Sequence, residues 1–175
     1  MTLWVFGYGS LLWNPEFPVA ESCVATLPDY ARSFCMRSIH HRGSAAEPGL
    51  VLALDAQEGA HCKGLALRVE PGQEEATLAA LRERELISSA YVERFLDVTL
   101  DSGAVVTAVV YVIDADHVQY CHLELEEQAH IIAHAVGGRG PNSEYLFNTA
   151  SHLAEIGLSD PDLDWLTARV KQILA

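Results

Sequence analysis

Two long β-type runs joined by a short polar turn constrain the fold of this chain more than any other feature of the sequence. The runs are Tyr91 to Leu100 and Ala104 to Ile113, and they flank Asp101-Ser102-Gly103. A short turn containing glycine between two such runs predicts a β-hairpin. The later half of the chain therefore contributes at least two neighbouring strands to an antiparallel sheet.

The remaining apolar pattern places further strands before this hairpin and helices after it. Apolar residues at helical spacing predict one amphipathic helix over 72–85, just ahead of the hairpin. The order of elements favours an α+β fold with a mostly antiparallel sheet or small barrel, because regular βαβ alternation is missing. The predicted strands are 3–6, 23–27, 31–38, 50–54 and 62–69, and the later helices are 124–136, 143–156 and 161–174.

Size and charge narrow the class of protein. With 175 residues and 50% hydrophobic side chains, the chain has material for one core, so we expect a single domain over 1–175. Its 24 acidic and 11 basic residues give a formal net charge of −13, which disfavours nucleic acid and acidic membranes as partners. The sequence shows neither a signal-peptide pattern nor an apolar run of the roughly 18 to 20 residues that span a bilayer. We expect a soluble cytoplasmic protein whose four separated cysteines are free thiols.

The stretch that follows the first strand offers bare backbone to a ligand. It reads Gly7-Tyr8-Gly9-Ser10-Leu11, and glycines without Cβ atoms let several N–H groups approach one anionic group. On spacing alone the same residues fit an ordinary strand-ending turn. A dinucleotide site is disfavoured because Leu12 stands where the third glycine belongs and no βαβ unit follows. Ser10 lacks the Gly-x-Ser-x-Gly elbow of a serine hydrolase.

Glu85 lies at the predicted carboxyl end of a helix. The helix dipole disfavours negative charge there, and the following Leu86 and Ile87 can remove water from the carboxylate. Both conditions favour the protonated carboxyl and so suit a general base. The alternative is that 82–85, reading Arg-Glu-Arg-Glu, is a solvated run of charges on a helix surface.

Other candidate site residues have ordinary explanations beside the functional ones. Arg37, His41 and Arg42 are suited to bind a substrate carboxylate, since arginine offers a planar fork of donors, and structural salt bridges are the alternative. His130 and His134 share a helix face, but no third ligand is apparent and the zincin glutamate is missing between them. We therefore expect no metal site.

Several segments in order resemble one known family. Residues 5–11 read Val-Phe-Gly-Tyr-Gly-Ser-Leu and, with Trp13-Asn14-Pro15, resemble the opening of the ChaC-type glutathione-specific γ-glutamylcyclotransferases. The similarity continues over nearly the whole chain. The further matching segments are Ser38 to Gly43 with Pro48-Gly49, Arg84-Glu85-Leu86 with Tyr91, and Gly138 to Leu146.

The resemblance implies a β-barrel-like fold with peripheral helices and no metal or organic cofactor. It implies a lyase that converts glutathione into 5-oxoproline and Cys-Gly with one essential glutamate, which the motif places at Glu85 rather than Glu83. The turn at 7–11 would then bind substrate, with Arg42 a candidate for its glycine carboxylate. Tyr91 would orient Glu85, and the Tyr145 hydroxyl would reach the pocket; packed tyrosines are the alternative.

The sequence also departs from the family at two places. Leu50 stands where members usually carry arginine after Pro-Gly, and Ser88-Ser89-Ala90 replaces a stretch that contains glycine. These changes bear on substrate recognition more than on the base. The alternatives are therefore a cyclotransferase for other γ-glutamyl peptides or amines, or a non-catalytic domain that binds a γ-glutamyl metabolite.

Overall fold

The elements follow the predicted order of strands, a helix, a hairpin and then helices. The computed structural model describes residues 2–86 and 90–175. A short 3-10 turn, Ser10–Leu12, follows the first strand. The strands and helices are β1 (Trp4–Gly7), β2 (Val19–Ser38), β3 (Gly49–Val69), α1 (Glu74–Glu85), β4 (Tyr91–Leu100), β5 (Val105–Ile113), α2 (Leu125–His134), β6 (Val136–Gly137), β7 (Gly140–Pro141), α3 (Asn142–Glu155) and α4 (Pro161–Leu174).

Five of the strands close into a barrel. They are hydrogen-bonded in the order β1-β3-β2-β4-β5, and β4 and β5 form the predicted antiparallel hairpin, in register from Tyr91 opposite Ile113 to Thr99 opposite Val105. Closure depends on β1, which pairs antiparallel with β3 on one side and parallel with β5 on the other. The predicted α+β fold with a small, mostly antiparallel barrel is confirmed.

The two longest strands each merge two strands that the sequence separates. β2 runs through Pro28 and Asp29, and Asp29 has the left-handed φ of 66°. Its carboxylate accepts a hydrogen bond from the Gly59 N–H on β3 at 3.0 Å. This contact stabilises an irregular point in the strand, so proline and a positive φ interrupt the local geometry without ending the strand.

The helices agree with the predictions apart from their ends. α1 begins at Glu74 rather than at residue 72, and Glu74 accepts a hydrogen bond from the Gly72 N–H at 2.8 Å. α2 ends at His134 instead of 136, because the chain becomes extended and pairs β6 with β7. α4 begins as expected after Asp160, whose carboxylate caps two backbone N–H groups.

The chain divides into two compact units. One comprises Met1–Arg32 and Leu54–His117, and the other comprises Ser33–Ala53 and Val118–Ala175. The expected single domain over 1–175 stays a prediction. The fully buried side chains of the first unit include Val5, Phe6, Leu27, Leu54, Val69, Val98 and Val109.

The second unit holds α2, α3 and α4, which pack on one another. Its fully buried side chains include Phe34, Leu50, Ile132, Leu146 and Leu166. Arg169 on α4 donates to the Glu126 carboxylate on α2, with contacts from 2.6 to 3.0 Å. In the described part of the chain, no helix has both the length and the apolar character needed to cross a bilayer.

Candidate active site

The turn after β1 is held by hydrogen bonds of its own backbone. The Leu12 N–H donates to the Gly9 carbonyl at 2.9 Å, and the Asn14 N–H donates to the Ser10 carbonyl at 2.8 Å. A Cβ at Gly7 would lie 3.1 Å from the Leu11 Cβ, so the turn folds closely over its own start. The first N–H groups of a helical turn have no partner within it, so such a turn can direct donors toward a group outside it.

Tyr8 is fixed at both its carbonyl and its ring. Arg32 Nε donates to the Tyr8 carbonyl at 2.8 Å, and the same guanidinium donates to the Lys63 carbonyl. The buried Tyr8 hydroxyl donates to the Tyr111 carbonyl at 3.2 Å. The start of the turn is therefore anchored to the barrel through groups on three different strands.

Glu85 is the last residue of α1, as the sequence predicts, and its side chain is 16% exposed. Its carboxylate lies 3.5 Å from Arg84 Nε. Arg84 Nη2 also donates to the Ser10 Oγ at 2.8 Å. The structure thus connects the proposed base and the proposed amide turn through one side chain. Ile87, expected to help desolvate Glu85, and the Ser88-Ser89 departure lie outside the described residues.

A second carboxylate, that of Glu93 on β4, has hydrogen-bond partners within the protein. Both Glu93 oxygens accept from Arg82, each at 3.0 Å, and Oε1 also accepts from the Tyr111 hydroxyl at 2.9 Å. The hydrogen bonds from Arg82, with a smaller one from Tyr111, hold the pKa of Glu93 below its ordinary value. Glu93 is therefore a fixed acceptor, unlike a group that exchanges protons near neutral pH.

Tyr111 is the buried phenol at the centre of this network, at 2% exposure. Burial is the main reason that its pKa lies far above the ordinary value, and the charges of Glu93 and then Glu85 add to the effect. The phenol stays neutral and keeps its proton for the bond to Glu93. Because the charge of Glu85 acts on it, Tyr111 marks the surroundings of the proposed base.

Tyr91 begins β4 opposite Ile113 and is half-buried. Its predicted task, to orient Glu85, stays a prediction. Its position nevertheless follows from the barrel, because the first residue of β4 comes soon after the end of α1 in the chain.

Arg42 and Tyr145 belong to the second unit, and the structure brings these two predicted residues together. The Arg42 guanidinium lies 5.7 Å from the Tyr145 ring centre, donates to the Pro141 carbonyl at 3.1 Å and lies 3.6 Å from Glu144. Arg42 is 6% exposed. The buried Tyr145 hydroxyl accepts from the Leu52 N–H at 3.2 Å. Both side chains therefore have structural partners, and their contact with substrate stays a prediction.

Close backbone packing surrounds Arg42. A Cβ at Gly43 would lie 2.0 Å from the Gly49 nitrogen, and a Cβ at Gly137 would lie 2.4 Å from the Gly43 nitrogen. Only glycine permits such approach. We call Gly43, Gly49 and Gly137 the glycine cluster.

Asn142 is a structural residue of this unit that the sequence did not single out. It is fully buried, and its side-chain amide exchanges two hydrogen bonds with the Leu50 backbone, each at 2.8 Å. Leu50 itself is fully buried. The residue that departs from the family pattern is thus a core side chain.

Arg84, Tyr111 and Glu93 are further residues that sequence reasoning missed as parts of the site. Arg84 was visible only as a neighbour of Glu85 in the family motif. Tyr111 carries the one polar side-chain group in the apolar run from Val109 to Ile113. This contrast is the sequence signal that could have identified it.

The histidine pair has local partners. His130 Nε2 lies 3.1 Å from the Glu126 carboxylate, and His134 Nδ1 donates to the His130 carbonyl at 2.9 Å. Across residues 2–86 and 90–175, no three His, Cys, Asp or Glu side chains are grouped as a metal site would require.

Comparison with known proteins gives consistent matches. The family model described as "ChaC-like protein" matches residues 3–173. The glutathione-specific γ-glutamylcyclotransferase of Escherichia coli (strain K12) is 38% identical over 99% of this chain and 74% of its own length. The γ-glutamylcyclotransferase 2-3 of Arabidopsis thaliana is 34% identical over 100% and 92%. The crystal structure of a glutathione-specific γ-glutamyl cyclotransferase from yeast superposes with a TM-score of 0.88, at 24% identity over 98% and 96% of the two chains.

Proposed function

The chain belongs to the ChaC-like protein family, and on that premise we propose that it is a glutathione-specific γ-glutamylcyclotransferase. It is an enzyme, a lyase that converts glutathione into 5-oxoproline and Cys-Gly. The observation that carries the proposal is the link from Glu85 through Arg84 to Ser10, because it joins a carboxylate to the turn that follows β1. The relatives support glutathione as the substrate, and this geometry supports Glu85 as the acid–base group.

The reaction needs one group that first accepts and then returns a proton. The α-amino nitrogen of the substrate loses a proton and attacks the γ-carbonyl carbon, and a five-membered ring forms. The bond from that carbon to the cysteine nitrogen then breaks, and the departing amine gains a proton. Glu85 serves both steps, so the reaction needs no second acid. Water is not a reactant. Since the attack is intramolecular, a pocket that curls the substrate supplies much of the rate.

The turn at 7–11 binds the anionic part of the substrate. Its backbone donors suit the α-carboxylate or the tetrahedral oxyanion, both of which carry negative charge near the reacting carbon. Arg84, with an 18% exposed side chain, adds a positive charge beside the turn. The backbone N–H dipoles of the turn oppose the general repulsion of an anionic substrate by a chain with net charge −13.

The other proposed site residues have less support. Tyr91 as the residue that orients Glu85, and Arg42 and Tyr145 as substrate-binding residues, rest on the resemblance. No cofactor takes part in the proposed reaction. The partner is a small molecule, and the net charge supports the expectation that nucleic acid and membranes are not bound. The four cysteines are free, which supports a reducing cytoplasmic location.

A broader specificity for γ-glutamyl compounds is the second candidate. It is favoured by Leu50, a buried leucine where the family usually carries arginine. If that arginine contributes to glutathione recognition in relatives, its loss here relaxes the selection of the Cys-Gly half. The cyclisation chemistry is the same in both cases.

A 5-oxoproline release assay tests the proposal. Purified protein without added metal is given glutathione and, in separate assays, a γ-glutamyl dipeptide and a γ-glutamyl amine. We expect the highest kcat/KM with glutathione, and Glu85→Gln should lower kcat by about 10²- to 10⁴-fold with an unchanged circular-dichroism spectrum. Glu83→Gln, an exposed neighbour on the same helix, is the matched control and should retain full activity.

The outcomes separate the alternatives. Equal turnover of all three substrates would favour the broader specificity. Full activity of Glu85→Gln would overturn the assignment of the base. Binding of glutathione without any 5-oxoproline release by the wild-type protein would indicate a non-catalytic domain.

A further inference from the structure

Arg84 contacts both the turn that follows β1 and the Glu85 carboxylate. Its Nη2 donates to the Ser10 Oγ at 2.8 Å, its Nη1 donates to the Asn14 carbonyl at 3.0 Å, and its Nε lies 3.5 Å from Glu85 Oε1. We propose that Arg84 is a positioning residue that fixes the Glu85 carboxylate relative to the 10–14 turn. The inference rests on the proposed function, since it assigns a task within that site.

The pairing of Arg84 with Glu85 is unusual for a helix. Consecutive residues of an α-helix point in different directions, and helix-surface ion pairs are normally three or four residues apart. Arg82 on the same helix instead pairs with Glu93 on β4 and is half exposed. The Arg84 side chain instead contacts Ser10 and Asn14, and its pairing with Glu85 accompanies these contacts.

The far end of the turn supplies independent geometry for the same conclusion. Glu16 has the left-handed φ of 61°, which residues with side chains seldom adopt. Its carboxylate lies 3.3 Å from Arg84 Nη1 and accepts from Asn14 Nδ2 at 3.1 Å. An unfavourable backbone conformation persists where surrounding contacts over-determine it. Arg84 is one of those contacts.

The chemistry of the side chain explains why arginine stands at this position. A guanidinium has five N–H donors in a rigid plane and can reach a hydroxyl, a carbonyl and a carboxylate in different directions. A lysine ammonium is a single point at the end of a flexible stem. Arg84 therefore holds the turn and the Glu85 carboxylate in a fixed relative position, and its loss allows both to move.

Catalysis is sensitive to such freedom. A general base works when it lies within hydrogen-bond reach of the proton that it removes, and a displacement of about 1 Å can cost about 10²-fold in rate. We therefore expect the loss of Arg84 to lower kcat more than it raises KM. A residue that only stabilises the fold would leave both parameters of the folded protein unchanged.

The test compares Arg84→Met and Arg84→Lys with a matched control, Arg68→Met. Arg68 is also a partly exposed arginine in a carboxylate pair, with Glu21 at 3.1 Å. Steady-state kinetics with glutathione should give a kcat about 10²-fold lower for Arg84→Met, with KM changed by less than about fivefold. Arg84→Lys should recover only part of the loss, and Arg68→Met should stay within about twofold of wild type.

A second measurement does not depend on activity. The amides of Leu12, Trp13 and Asn14 are bonded within the turn, so their hydrogen exchange reports its order. Exchange should accelerate about tenfold or more in Arg84→Met and remain unchanged in Glu85→Gln and Arg68→Met. If Arg84→Met does not fold, the comparison of Arg84→Lys with wild type carries both readouts.

The two readouts keep the inference separate from the proposed function. A wild-type protein without cyclotransferase activity overturns the proposed function, while the exchange data still test the positioning. Unchanged exchange at 12–14, or a kcat equal to wild type in folded Arg84→Met, overturns the positioning role. Full recovery in Arg84→Lys overturns it as well, because it would show that a charge alone suffices.

Discussion

Two arginines in this protein have opposite surroundings. Arg84 has a side chain that is 18% exposed, and it joins hydroxyl, carbonyl and carboxylate groups of a turn and a helix end. Arg42 is 6% exposed and stacks on Tyr145 beside the glycine cluster. The first set of contacts is polar and partly exposed, whereas the second depends on backbone groups in close packing. We infer that changes near Arg84 affect mainly activity and that changes in the backbone packing around the glycine cluster affect mainly stability.

The largest effect on stability is expected at the glycine cluster. In Gly43→Ala the new Cβ would lie 2.0 Å from the Gly49 nitrogen and 2.6 Å from the Ser38 carbonyl oxygen, so backbone must move. We expect a loss of about 3 kcal/mol or more in the free energy of unfolding, measured by urea denaturation. Gly138→Ala is the matched control, because its Cβ would meet only the His40 carbonyl oxygen at 3.2 Å. Equal stability of the two variants would contradict the packing argument.

The next effect concerns the buried amide of Asn142. Asn142→Leu removes both hydrogen bonds to the Leu50 backbone and leaves a buried N–H and a buried carbonyl without these partners. Unfolding free energy should fall by about 2 to 4 kcal/mol. Asn148→Leu on the same helix is the control and should change stability by less than about 1 kcal/mol. At low temperature, where Asn142→Leu is folded, its kcat should be near that of wild type. A large loss of kcat would contradict the inference that this packing affects mainly stability.

At Tyr111 we expect a smaller loss of stability than at Asn142, together with a loss of activity. Tyr111→Phe removes the hydroxyl that donates to Glu93 at 2.9 Å but keeps the buried ring. Stability should fall by about 1 kcal/mol, since Arg82 still holds Glu93. We expect kcat to decrease by up to about tenfold through the disturbed surroundings of Glu85. Tyr30→Phe, a hydroxyl removal elsewhere in the barrel, should leave kcat unchanged.

The smallest effect is a change of stability with pH. The pKa of Glu93 is lowered in the folded state, chiefly by its hydrogen bonds from Arg82. The stability that this pairing contributes is therefore present above the ordinary pKa of 4.5 and is lost as pH falls through the lower folded value. Arg82 is half exposed, so the contribution should stay below about 1 kcal/mol. In Glu93→Gln the melting temperature should fall less steeply as the pH is lowered below about 4.5. The same steepness as in the wild-type protein would contradict the proposed contribution of Glu93.

Features governed by local chemistry were predictable from the sequence. The hairpin follows from two apolar runs and a polar turn, and α4 follows from Asp160 at its start, because each signal lies within a few residues. Features that depend on contacts between distant residues were not predictable in this way. β2 continues through Asp29 because the Asp29 side chain bonds to Gly59, which lies 30 residues away in the sequence.

The candidate site shows the same division. Glu85 and the turn at 7–11 were selected by the family motifs, since local physics fits a charged helix surface and an ordinary turn equally well. The position of Arg84 was visible, but its contacts were not, because Ser10 and Asn14 lie 74 and 70 residues away. The glycine cluster likewise brings together loops that are separate in the sequence.

The Asn142 contact has a consequence for how such proteins can diverge. Its amide binds the main-chain N–H and carbonyl of residue 50, a pair of groups that every residue except proline provides. A lineage can therefore exchange the side chain at position 50, subject to the volume and polarity of the interior, while the start of α3 keeps the same anchor. The side chain at position 50 and the anchor of α3 can in this way change independently of each other.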